Sequence, residues 1–318
     1  MIKYFLICFL FLVTAFQSTA QDKNHVQEVV NKYSSKFSDP DKLAAKIEKD
    51  FSTPINKAYA AYFWIGNHIA YDVKNGNQIS SVRFSYSSEK EKQELIQKMI
   101  YDTACKTLKQ GKGVCDGYAK LYQYVMDKVG VECVVVDGIG KAYINQIGDL
   151  KLQADHSWNA IKIDGSWHLL DATWGAGIVD NEGFHRMYSD IYFMTPPKEF
   201  FYNHYPLEEK WMLMDGNFDT FNNNPLMYSD VLKRGIEVSK PTSGVLKKPK
   251  SPIEFVMKMA EGDPSKINYN YSNEKYMQPL KLKENNGNYV FSVPAPKGNP
   301  NYLIIYYDIN GILVYKIK

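Results

Sequence analysis

The sequence predicts an α+β fold, on three observations. Helical periodicity runs through most of residues 55–129. Two β-type segments, SWNAIKI (157–163) and SWHLLDATW (166–174), then meet at Asp164-Gly165, a strong two-residue hairpin signal. From Ile253 onward, short β-type runs alternate with turn signals. Helices followed by antiparallel strands are an α+β order, with a small all-β domain at the end. The length of 318 residues suits two domains at ~150 residues each.

The elements follow in order. Residues 1–20 carry a basic Lys3, an almost wholly apolar stretch from Tyr4 to Val13, and the small residues Ser18, Thr19 and Ala20. That is the pattern of a secretory signal peptide. The apolar stretch is shorter than the ~20 residues of a spanning helix. Export with cleavage is therefore expected, with a periplasmic or extracellular location and no transmembrane segment after signal removal. Residues 21–54 are polar, with scattered Val26, Val29, Leu43 and Ile47, and read as an N-terminal segment of short helices. Ala58, Tyr62, Ile65 and Ile69 recur at helical spacing over 55–70. Residues 75–88 read as a loop, and 89–109 as a second helix stopped by Gly111 and Gly113. A third helix runs from Cys115 to Val129, burying Tyr118, Tyr122, Val125, Met126 and Val129, with Gly130 as its left-handed cap. VECVVVDG (131–138) is a buried strand ahead of the hairpin.

After about residue 215 the texture changes. Residues 215–252 are polar, then rich in Lys and Pro, and read as a linker. Residues 253–318 read as a small β-sandwich, with hairpins marked by Asn286-Gly287 and Asn310-Gly311. The expected domains are thus 21–54, 55–214, the linker 215–252, and 253–318.

Composition narrows the function. Thirty-eight basic residues against 35 acidic ones leave a formal charge of +3, without the clustered basic face that nucleic acid requires. Hydrophobic residues at 45% and charged residues at 23% fit a globular chain and exclude bulk disorder. Four cysteines are too few for a disulfide scaffold at this length. Cys8 leaves with the signal, and Cys105, Cys115 and Cys133 remain. That number is odd, so at least one is free or joined to another chain. Whether Cys105 and Cys133 pair is open. No HExxH, CxxC or Asp-rich calcium loop occurs, and His68, His168, His185 and His204 lack metal spacing, so no metal and no cofactor are expected.

Chemistry gathers at GKGVCDGYAKLYQYV, which puts Cys115 at the glycine-rich start of a helix. A thiolate there feels the positive end of the helix dipole. Two readings are open, a nucleophile and a buried structural thiol. Cys133, inside a strand, reads as structural. With Asp164 and Gly165 as turn residues, Trp158 faces Asp171 and His156 faces Thr173. Alternation puts His156, Trp158 and Asp171 on one face. His156 and Asp171 become diagonal neighbours, within reach of each other. A one-residue slip would turn Asp171 away. A His oriented by a carboxylate can serve a nearby thiol as general base. The structural reading of a His beside a Trp is open as well. Trp158 and Trp174 suit either core packing or cleft walls, and Asp155 reads as a solvated loop residue.

GKGVCDGYAKL, VECVVVDG and DHSWNAIKIDGSWHLLDATW together resemble the core of the transglutaminase-like superfamily. There a Cys opens a helix, and a His and an Asp follow on consecutive strands. WIGNHIAYD upstream, with GAG, YFMTPPKEFFYNHYP and KWMLM downstream, is similar to the kyphoscoliosis-peptidase branch and its bacterial relatives. The resemblance covers roughly residues 55–214. It implies a papain-like core with Cys115 as nucleophile, His156 as general base and acid, and Asp171 as orienting carboxylate.

The expected function is that of an exported cysteine enzyme. It acts on amide bonds of proteins or peptides through a thioester, with water as the acceptor in a peptidase or deamidase. A crosslinking transglutaminase and a non-enzymatic scaffold are the alternatives. The expected partners are a protein or peptide substrate and, for the C-terminal β domain, a cell-envelope component. The backbone N–H of Cys115 at the helix entry is the expected oxyanion donor. The sequence names no second donor; Trp64 and Asn67 on the upstream helix are candidates to face the cleft.

Overall fold

The computed structural model describes residues 23–76 and 85–318. The expected signal peptide, with Cys8, and the middle of the 75–88 loop lie outside the described residues. The described residues divide into two compact units, the first comprising those up to 137 together with 156–195, the second 138–155 with 196–318.

The first unit is helices on an antiparallel sheet. Helix α1 covers 23–30. Helix α2 (Pro40–Asp50) starts at an Asp39 cap with Pro at N1. Helix α3 (Pro54–His68) starts the same way at Thr53 and buries nine consecutive residues, Ala58–Gly66. Strand β1 (Ala70–Tyr71) follows. Helix α4 (Glu89–Gln110) is capped by Ser88 and ends on Gly111 at φ 63°. Strand β2 (Lys112–Gly113) pairs in parallel with β1 and runs straight into α5 (Cys115–Lys128).

Helix α5 is the centre of this unit. It packs on α2, α3, α4 and the sheet. Its approach to α4 is possible because Gly117 lacks a side chain: a Cβ there would sit 2.6 Å from the Thr107 Oγ1. The sheet uses β3 (Cys133–Gly140), β4 (His156–Ile163) and β5 (Ser166–Leu170). Asp164 (φ 50°) and Gly165 (φ 81°) form the expected tight turn, with Ile163 opposite Ser166. The ladder continues to Asn159 opposite Leu170 and stops there. Helix α6 (Ala172–Ala176) begins at once. The strand expected through Trp174 is thus four residues shorter, and Thr173 does not face His156 across a ladder. The hairpin β6 (Gly177–Asp180) and β7 (Gly183–Arg186) follows, then β8 (Phe193–Thr195), which pairs with β5.

In the second unit, residues Gly138–Gly140 at the end of β3 pair with β9 (His204–Pro206), which follows the short helix α7 (Pro197–Phe200). Residues 215–252, expected as a linker, are built into the unit. They form α8 (Phe218–Asn223), β10 (Leu226–Met227), α9 (Ser229–Lys233), β11 (Glu237–Lys240) and β12 (Val245–Leu246). Strands of two to four residues carry too little alternation to be read from sequence. The β-type runs beyond residue 253 are β13 (Ile253–Lys258), β14 (Ile267–Tyr271), β17 (Asn288–Val293), β18 (Tyr302–Tyr307) and β19 (Asn310–Ile317), with β15 (Gln278–Pro279) and β16 (Lys283–Asn285) between.

One sheet has the order β10-β19-β18-β14-β15, with β12 also on β19, and the other β11-β13-β17-β16. Their inner faces share one core that includes Phe255, Phe291, Tyr271, Ile305 and Tyr315. This is the expected sandwich. Asn286-Gly287 is the turn of the β16–β17 hairpin. The last hairpin turns at Asp308-Ile309, because Tyr307 already pairs with Asn310. Asp308 takes the left-handed φ of 57°.

Candidate active site

Cys115 is the first residue of α5, and its N-cap, Val114, offers no side-chain hydrogen bond. The helix therefore starts without the usual side-chain acceptor for its first N–H groups, and their partial positive charge falls beside the thiol. Burial of Cys115 is complete at 0% exposure.

His156 opens β4, the strand on which α5 packs. Its Nε2 is 2.7 Å from Asp171 Oδ2. Its side chain is also hydrogen-bonded to Cys115. With Nε2 engaged by Asp171, Nδ1 is the ring nitrogen left for the sulfur. Burial, the largest influence, works to lower the His156 pKa. Asp171, by charge and hydrogen bond, and Cys115 in the same two ways outweigh it and push the pKa up to about 10. The protonated ring is the favoured form through the neutral range.

Asp171 is 0% exposed and serves two roles at once. Its Oδ1 accepts from the backbone N–H groups of Thr173 (2.8 Å) and Trp174 (3.0 Å), which caps α6. Its Oδ2 is left for the imidazole. The expected strand position was therefore wrong in detail, but the pairing of His156 with Asp171 is present. The missed signal is the tripeptide after Leu170. An Asp two and three residues ahead of helical N–H groups is an N-cap pattern.

Trp158 and Trp174 flank the imidazole, with ring centroids 6.0 and 5.6 Å from it. Trp158 is 1% exposed and packs in the core, while Trp174 keeps partial exposure and meets Tyr192 edge-on at 5.7 Å. Trp64 is held elsewhere, its Nε1 donating to the Ser34 carbonyl. Asn67 bonds back to Phe63. Asp155 accepts from the Gly140 N–H, a loop role. His68 bonds to the Trp64 carbonyl, and His185 pairs with Asp180 on the β6–β7 hairpin. Cys105 and Cys133 are both free thiols, so they do not pair with each other. Burial raises the pKa of each.

A second buried group flanks the site and was not read from sequence. Asp116 and Lys120 form an ion pair at 2.6 Å, both 7% exposed. Burial raises the Asp116 pKa against the pull of Lys120, and nearby Asp137 adds to the rise. Asp137 in turn accepts from Ser157 at 2.6 Å. Asp137, half-buried, thus stands between the residues that follow Cys115 and His156. The signal was the i,i+4 pair DGYAK on a helix otherwise buried there.

A buried thiol at a helix N-terminus, bonded to a histidine that is bonded to a carboxylate, is a site of the cysteine-enzyme type. Residues 41–172 match the family model of the Transglutaminase-like superfamily. Kyphoscoliosis peptidase from Homo sapiens is 30% identical over 212 residues, 65% of this chain and 29% of that protein. Hillarin from Drosophila melanogaster is 30% identical over 162 residues, 46% of this chain and 20% of that protein. The Lim and transglutaminase domain protein ltd-1 from Caenorhabditis elegans is 31% identical over 128 residues, covering 36% and 17%. The chain therefore spans less than a third of the length of these relatives.

Proposed function

We propose that the protein is a cysteine hydrolase of amide bonds, a peptidase or deamidase, exported by its N-terminal segment. The observation that carries the reading is the Cys115–His156–Asp171 chain of hydrogen bonds at the start of α5. Cys115 reacts as the thiolate, its proton held by His156. Its sulfur attacks the carbonyl carbon of a peptide bond or glutamine amide, forming the C–S bond and a tetrahedral oxyanion. The backbone N–H of Cys115 donates to that oxyanion. The C–N bond then breaks, and His156 gives its proton to the departing amine or ammonia. A water molecule attacks the thioester while His156 takes its proton. The acid leaves and the Cys115 thiolate returns. Asp171 holds the ring and stabilises its charge throughout.

The test is mass spectrometry of a peptide mixture incubated with the full chain, with and without a primary amine. Hydrolysis predicts cleaved or deamidated peptides in both arms, lost in Cys115→Ala. Amine-coupled peptides as the main product would replace this reading with crosslinking. If wild type and Cys115→Ala leave the mixture equally unchanged, the scaffold reading prevails.

A further inference from the structure

The oxyanion in that reaction has one donor assigned, and a well-formed oxyanion hole uses at least two. Strand β1 is the element placed to supply the other. It lies beside β2 in parallel, with Tyr71 opposite Gly113, two residues before Cys115. The fastening extends on both sides, because Ala70 N–H donates to Gly111 O and Asp72 N–H to Gly113 O. Strand β1 also packs against α6, the helix that Asp171 caps. It is therefore attached to the segments that carry both Cys115 and Asp171.

The direction of Tyr71 follows from its neighbours. The Asp72 carboxylate turns to Lys112 at 3.1 Å and lines a cavity of about 390 Å³ with Thr107 of α4, and with Asp116 and Gly117 of α5. Along an extended chain successive side chains alternate, so Tyr71 points to the side opposite that cavity. Tyr118 marks what lies there. It stands three residues after Cys115, on the same face of α5. Its hydroxyl donates to the Ile69 carbonyl, two residues before Tyr71. The buried Tyr118 phenol lies within electrostatic range of both Tyr71 and Asp171. Tyr71 itself is partly exposed, whereas Cys115 is sealed.

We propose that Tyr71 is the second oxyanion donor, its phenolic O–H joining the backbone N–H of Cys115 at the carbonyl oxygen under attack. The proposal rests on the acyl-transfer reading above.

The experiment compares two reactions of the same thiol, in the full chain and followed by mass mapping of Cys115. Acylation by p-nitrophenyl acetate passes through a tetrahedral oxyanion: the C–S bond forms, then the C–O bond breaks and p-nitrophenolate leaves. Alkylation by iodoacetamide displaces iodide and forms no oxyanion. Tyr71→Phe should slow acylation by on the order of 10²-fold, the usual loss for one oxyanion donor, and leave alkylation at the wild-type rate. Equal acylation by wild type and Tyr71→Phe overturns the proposal and leaves the enzyme reading standing. A parallel fall in both reactions also overturns it, because the tyrosine then supports the fold or the thiolate. A wild-type Cys115 acylated no faster than free cysteine removes the enzyme reading and the proposal together.

Discussion

The two carboxylate oxygens of Asp171 are divided between two tasks: one accepts from the α6 backbone, and the other lies 2.7 Å from His156 Nε2. Helix capping fixes the carboxylate before the imidazole is considered. The ring is then oriented by a group that has no freedom to rotate away. This is why the first residue beyond a strand holds the histidine as firmly as a residue within the ladder would.

The first prediction concerns that pair. In Asp171→Asn the influences that raise the His156 pKa lose their largest member, and burial, which lowers it, prevails. The ring then gives up its proton at lower pH than in wild type. Amide hydrolysis needs the imidazolium as the acid that protonates the leaving amine, so the alkaline limb of hydrolysis, set in wild type by the His156 pKa of about 10, should move to lower pH in Asp171→Asn. The linked stability has a definite sign. The pair's contribution is complete below about pH 6.5 and disappears as pH rises through about 10. An alkaline limb that stays in place in Asp171→Asn contradicts the assignment.

Much of this arrangement was legible in the sequence, and the reasons differ by residue. Asp164-Gly165 fixed the hairpin register, because a two-residue turn permits one pairing, and Ile163 does face Ser166. That register brought His156 and Asp171 close even though Asp171 leaves the ladder. The five long β-type runs after residue 253 were visible through alternation, each of five or more residues. Residues 215–252 were not, since pieces as short as Leu226–Met227 become strands only by pairing with β19. The link between Cys115 and His156 was also invisible, because α5 meets β4 through tertiary packing that no local pattern encodes. Family resemblance supplied it in advance of the geometry.

A second prediction concerns the close approach of α6 to α3. A Cβ on Gly175 would collide with the hydroxyl of Tyr62, which is 0% exposed and donates to the Ser189 carbonyl at 2.7 Å. Gly175→Ala must displace that hydroxyl and break its bond, costing about 2–4 kcal/mol. Adding Tyr62→Phe removes the colliding oxygen and should recover part of the loss. Urea unfolding midpoints of the two variants measure this. A single variant that unfolds at the wild-type midpoint contradicts the packing described.

The third prediction addresses the buried charges beside Cys115. Lys120 neutralises Asp116, with Asp137 nearby. Lys120→Met leaves a buried carboxylate without its cation, which typically costs ~3–5 kcal/mol. The double variant Asp116→Leu with Lys120→Met removes both charges and should be far less damaged. The comparison again uses urea denaturation. If the double variant is as unstable as Lys120→Met alone, then packing rather than charge is what the pair contributes.

The last prediction concerns Lys141 in the second unit. Its side chain is 0% exposed, and its Nζ donates to the Phe221 carbonyl at 2.7 Å and the Asn224 carbonyl at 3.0 Å, at the C-terminal end of α8. Burial lowers its pKa from 10.5 to about 7. Below about pH 7 the lysine is charged in the folded and unfolded chain alike, and the fold bears the full cost of burying an ammonium group. Between about 7 and 10.5 the unfolded chain holds a proton that the folded chain has released. Stability due to this residue therefore rises with pH across that window. Buried tyrosines titrate with the opposite slope, so the wild-type curve alone does not isolate the lysine. The difference between wild type and Lys141→Met does, because methionine keeps the apolar stem and has no proton to lose. Urea midpoints taken at several pH values should show wild type gaining on Lys141→Met as pH rises from 7 toward 10. A difference that stays flat with pH would mean that Lys141 remains protonated in the fold, its charge satisfied by the two α8 carbonyls.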